Sequence, residues 1–271
     1  MSTVTSALAG GRTSASQGSL AQTIDRWIFV FTASGFIVIT LVGFVPDSLE
    51  KIAAVNAGAR PPFPLALHFH AALMGAFLLL LLGQSVLQAT GQRKYHRHLG
   101  IAGIALATTL VAVGFILVPT MYQQVWQGSQ VAPPEAQAGI KEGLRTFEDI
   151  MLLQLQIGIL FPTFLVIALS ARKSDPGLHK RMMLLAITPA LAASIDRIAW
   201  LPTSLPASPL TPFLYPLVAI APLFIWDVFR NRAVHKAYLI WAAFMVPSSI
   251  LIFNLWGSDW WHSIAPRLGG V

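Results

Sequence analysis

An all-α, polytopic membrane bundle is the fold class this sequence predicts, and three observations predict it. Of 271 residues, 55% are hydrophobic and only 11% are charged, where a soluble domain carries roughly a quarter charged residues. Seven apolar runs recur along the chain, most of them near the roughly 20 residues that cross a bilayer as a helix. Lys and Arg are dense in every second connection and sparse in the others, the asymmetry that orients a chain crossing repeatedly.

Taken in order, the first 24 residues, "MSTVTSALAGGRTSASQGSLAQTI", are rich in Ser, Thr, Ala and Gly. They have no apolar period and read as a disordered cytoplasmic tail. They do not read as a signal peptide, because the first apolar run starts only at Trp27 and is long enough to span. The membrane domain occupies residues 25–257, with runs at 27–45, 65–87, 99–118, 150–170, 182–199, 210–226 and 237–256. The sixth is short and holds Pro212, Pro216 and Pro222. Pro162, Pro189 and Pro247 also sit inside runs, where neighbouring helices can satisfy the carbonyls that proline frees. Residues 46–64, which hold "NAGARPPFP", read as a loop. Residues 119–149 read as a longer one, in which Pro133 and Pro134 open a short helix leading to run four. Residues 258–271 form a short outer tail.

The orientation follows from the bases. Arg12, Arg26, Arg93, Lys94, Arg97, Arg172, Lys173, Lys180, Arg181, Arg230, Arg232 and Lys236 lie on one side, and six bases lie on the other. The N-terminus is therefore expected inside and the C-terminus outside. The net charge of +7 then speaks for topology and anionic lipid at the cytoplasmic face. No nucleic-acid-binding signature accompanies it. With no cysteine there is no disulfide framework, thiolate metal site or catalytic thiol. No Walker, HExxH or Ser-His-Asp signature is present. Gly100 and Gly103 in "LGIAG" read as close helix packing.

Two polar layers remain. The outer one holds His68 and His70 at the start of run two, Glu148 and Asp149 at the start of run four, and Asp196 and Arg197 near the end of run five. Ionisable groups within a bundle are expensive and usually face its interior. His68, His70, Asp149 and Asp196 are accordingly the candidate metal or proton-relay set. Positions two apart on a helix point about 200° apart, so only one of the two histidines can face inward. His70, the deeper, is expected to meet Asp196 first and Asp149 second. The structural alternative is interfacial histidines bonded to neighbouring groups, with Asp196–Arg197 an end-of-helix ion pair. The inner layer holds His96, His98, His179 and His235, each beside a base at the start of runs three, five and seven. Helix N-termini with Arg or Lys suit an anion such as a lipid phosphate, a haem propionate or a quinone oxygen. The structural alternative is plain positive-inside anchoring.

The stretches "HFHAALMGAFLLLLLGQSVLQATGQRKYHRHLGIAG", "DPGLHKRMMLLAITPAL" and "DRIAW" carry a resemblance. Their His-x-His-x-x-Leu-Met, Gly-x-x-x-x-His-Arg-x-Leu-Gly and His-Lys-Arg-Met-Met motifs resemble an uncharacterised family of bacterial inner-membrane proteins, over roughly residues 64–200. More distantly, the pattern is similar to membrane proteins of the cytochrome b561 type, in which histidines from several helices ligate haem. That resemblance implies a bacterial-type inner membrane, and haem b between His96 or His98 and His179. Three function classes follow: a haem- or divalent-metal-binding redox or electron-transfer protein, a proton-coupled transporter or lipid-interacting protein, and a non-catalytic assembly partner.

Overall fold

The computed structural model describes residues 3–131 and 133–271, with side chains from residue 20 onward. Among them are nine helices and no strand: α1 (Thr3–Asn56), α2 (Leu65–Ala89), α3 (Arg93–Gln130), α4 (Gln137–Ala171), α5 (Pro176–Leu185), α6 (Thr188–Ile195), α7 (Leu210–Asn231), α8 (Lys236–Leu255) and α9 (Asp259–Gly269). The all-α bundle is thus present, and α1, α2, α3, α4, α7 and α8 are each long and apolar enough to cross a membrane.

The fifth apolar run takes a different form. It is divided between α5 and α6, and the cause is Pro189. Proline has no N–H, so the Leu185 carbonyl four residues earlier loses its helical donor. The Thr188 hydroxyl donates to that carbonyl instead, at 2.7 Å. Trp241 Nε1 in turn donates to Thr188 Oγ1 at 2.7 Å. Ala186 and Ile187, which link the two pieces, both keep right-handed helical dihedrals. The pair therefore continues as one kinked rod over residues 176–195, about 30 Å long at 1.5 Å per residue.

Several boundaries run past the expected ones. α1 continues through Pro46 to Asn56, over part of the expected loop at 46–64. Residues 3–24, the expected tail, are part of α1; residues 1 and 2 lie outside the described ones, as do the side chains of residues 3–19. α3 has 38 residues, about 57 Å of helix against a hydrocarbon core of about 30 Å. Its last turns pack against α9: Tyr122 is fully buried and Gln123 Nε2 donates to the Gly269 carbonyl. α9 forms within the expected C-terminal tail, capped by the Ser258 hydroxyl.

Contacts sort the chain into two ends. At one end Arg26 Nε donates to the Ala89 carbonyl, Gln84 Nε2 to the His96 carbonyl, and Arg230 pairs with Asp25. At the other, Arg197 pairs with Asp47, Gln124 Nε2 donates to the Pro62 carbonyl, and Trp256 Nε1 to the Pro206 carbonyl. α4 is central: 44% of its most apolar stretch is buried, against 28% or less in the other long helices. Phe161, Phe164, Leu165 and Ala168 on α4 pack with Phe36, Phe77, Leu185 and Leu223 in the main core. Small residues set the closest approaches. A Cβ on Gly43 would strike the Ser194 carbonyl of α6, and one on Gly103 would meet Leu80 Cδ2 of α2 at 2.8 Å.

Candidate functional site

The basic end holds the larger cavity, about 1000 Å³, between α1, α2, α3, α4 and α5. Its floor is apolar, with Phe77, Leu81, Ala107 and Leu184. Its rim is basic, with Arg26, Arg93, Arg97, Arg172 and Lys180. Amphipathic walls of this kind follow from position. The deep part is helix interior, and the rim is where the cationic side chains of the basic loops snorkel.

Two of the four inner histidines meet here. His96, in the first turn of α3, and His179, in the first turn of α5, have ring centroids 6.5 Å apart at an interplanar angle of 81°. His179 Nδ1 lies 2.8 Å from the Ala168 carbonyl. A carbonyl only accepts, so Nδ1 carries the hydrogen and Nε2 keeps its lone pair. That is the arrangement by which a backbone carbonyl fixes the tautomer of a metal-binding histidine. His96 Nδ1 is buried without a hydrogen-bond partner among the described residues, and so is Oε1 of Gln84 in the same cavity wall. Buried polar atoms are normally satisfied, and both of these line the cavity without a protein partner.

The other two inner histidines are elsewhere. His98 is exposed, because two residues on from His96 it points about 200° around the helix. His235 caps α8, its Nδ1 accepting from Ala237 N–H at 3.1 Å. Burial first, then the Arg181 guanidinium, holds its pKa below the usual histidine range. It stands near Asp175, which caps α5 by accepting from Leu178 N–H and pairs with Lys236 at 2.7 Å. Those bonds, Lys236 foremost, hold Asp175 below the ordinary carboxylate value.

The outer candidates do not assemble as expected. No group of three or more His, Asp or Glu side chains among the described residues could hold a metal ion. The ring of His70 is half-buried with Nδ1 unpartnered. It lies toward α3, where a Cβ on Gly114 would be 4.0 Å from Cε1; no ion pair joins it to Asp196 or Asp149. His68 sits edge-on to Phe63, with centroids 6.2 Å apart. Asp196 caps α6 with Oδ1 buried and unpartnered. Asp149 is engaged by α9 instead: Oδ1 accepts from His262 Nε2 at 3.0 Å and from Gly257 N–H at 2.9 Å.

Sequence reasoning missed two buried networks. At the end opposite the basic one, the Tyr122 hydroxyl donates to Glu148 Oε1 at 2.9 Å, and Trp261 Nε1 to the Glu148 carbonyl at 2.8 Å. At the basic end Asp227 accepts from Arg181 Nε and Nη2 and from the Tyr238 hydroxyl, each at 2.6 Å. A signal for the second existed: Asp227 is the lone acid at the basic end of run six, in "FIWDVFRN". An isolated acid there needs a base from a neighbouring helix.

No protein-family model, curated protein or solved structure matches this chain.

Proposed function

We propose that this is a seven-span, bacterial-type inner-membrane protein, N-terminus inside and C-terminus outside, that holds haem b at its cytoplasmic end between His96 and His179. The kinked α5–α6 rod supplies the seventh crossing, and the loop charges supply the orientation. One observation carries the haem reading: two imidazoles from different helices, 6.5 Å apart, at the wall of a 1000 Å³ cavity. His96 and His179 would hold the group through one ring nitrogen each, from two different helices.

The residues present suit the group in three further ways. His179 already has the tautomer that leaves Nε2 to bind iron. His96 brings an unpartnered ring nitrogen. Arg93, Arg97 and Arg172 line the rim, where their guanidinium forks can take carboxylates. Haem, when bound, would supply one-electron redox chemistry tuned by the side chains that hold it and by the polarity around it. Anionic lipid at the cytoplasmic face is the expected surrounding of the basic rim.

The test is a visible spectrum. Protein expressed with ample haem and purified in detergent should show a Soret band. Colourless protein under those conditions refutes the reading.

A further inference from the structure

A second cavity, of about 410 Å³, opens between α1, α5 and α7 on the same end of the bundle. Its walls are polar and charged, with Asp25, Lys180, Arg181, Trp226, Asp227 and Arg230. Three of these are cations and two are carboxylates. Both carboxylates are taken. Asp25 accepts from Arg230 Nε at 2.8 Å and from Trp226 Nε1 at 2.9 Å. Asp227 is held by Arg181 and Tyr238. Lys180 is left over. Its ammonium stands 4.4 Å over the Phe29 ring, and no salt bridge reaches it among the described residues.

The cavity therefore carries one positive charge without a counter-charge of its own. Lys180 offers three N–H donors. Arg230 bonds Asp25 through Nε alone, leaving its terminal N–H groups for another acceptor. Donors that line one polar space from two helices suit a group with several acceptor oxygens arranged in three dimensions. We infer that this cavity binds a phosphate group, with Lys180 and Arg230 as its contacts. The walls beside it favour the headgroup of an anionic lipid as the source. Phe31 of α1 and Ile225 and Phe229 of α7 are exposed apolar side chains along which acyl chains can lie. The inference does not rest on the haem reading; the two cavities share wall residues, but the phosphate site uses no histidine.

Two measurements at constant ionic strength test it, neither of which depends on haem. Calorimetry in phosphatidylcholine nanodiscs reads the binding of inorganic phosphate. Native mass spectrometry from detergent reads the retention of phosphatidylglycerol over phosphatidylcholine. Selective retention of phosphatidylglycerol with no phosphate binding assigns a lipid headgroup. Binding of phosphate alone assigns a free anion. Lys180→Gln should weaken either by about tenfold or more, the loss of a charge-assisted bond, and Lys180→Arg should retain it. Absence of both signals in the parent, or equal binding by Lys180→Gln, overturns the proposal.

Discussion

Asp227→Asn is the substitution whose cost the structure defines most closely. Asp227 is 3% exposed and Arg181 7%, so the ion pair is out of water. The carboxylate accepts three bonds of 2.6 Å, two from Arg181 and one from Tyr238. Asparagine keeps one acceptor oxygen and turns an NH₂ toward a guanidinium that also only donates. Arg181 would stay buried and charged without a counter-charge, with only the Gly177 carbonyl and at most the one remaining amide oxygen as acceptors. Breaking a buried pair from one side costs about 3–5 kcal/mol, because a charge is left uncompensated. Replacing both partners with apolar residues removes that charge. Arg181→Leu with Asp227→Leu should therefore be less destabilising than Asp227→Asn alone by about 2 kcal/mol, even though the Tyr238 hydroxyl loses its acceptor. Reversible unfolding in mixed detergent micelles reads both. An Asp227→Asn protein within about 1 kcal/mol of the parent would show that the pair is not desolvated as described. A double variant less stable than the single would refute the uncompensated-charge argument.

Thr188→Val keeps the shape at the α5–α6 kink but strips the hydroxyl shared by the Leu185 carbonyl and Trp241; a loss of about 1–3 kcal/mol is expected in the same micelle assay, with a change in tryptophan emission. Gly269→Ala places a Cβ against the Tyr122 ring and should release α9, read as faster proteolysis after residue 257; unchanged protection would contradict the close approach. The depressed pKa of Asp175 gives a signed pH effect. Its contribution is present above the ordinary carboxylate value of 3.8 and is lost as pH falls through its lower folded value. Asp175→Asn should thus be less stable than the parent at neutral pH, with the gap closing as pH drops below that value; a gap that persists to the lowest accessible pH would contradict the pairing with Lys236.

The apolar runs placed every long helix, because a segment long and apolar enough to cross is recognised from its own residues without knowledge of its neighbours. Their rotation was not legible. These helices are apolar nearly all round, so periodicity does not say which face meets a neighbour. That is why His70 could be expected against Asp196 and yet lies toward Gly114 of α3. It is also why Asp149 found His262 of α9, a helix hidden in what reads as a short tail. At the basic end the sequence left His96 and His98 as alternatives, and helix geometry separates them: only His96 stands beside His179, while His98 is exposed. The break of run five was written in Pro189, but its repair by Thr188 and Trp241 joins residues 53 apart, beyond local pattern.

The His96–His179 site is tested most directly by ligation rather than by colour alone. The oxidised protein, loaded with haem, should give a low-spin electron paramagnetic resonance spectrum with haem and protein at a one-to-one ratio. His96→Ala and His179→Ala should each convert it to high spin or lose the haem, while His98→Ala and His235→Ala should leave the low-spin signal in place. A low-spin signal that survives both His96→Ala and His179→Ala would contradict the site.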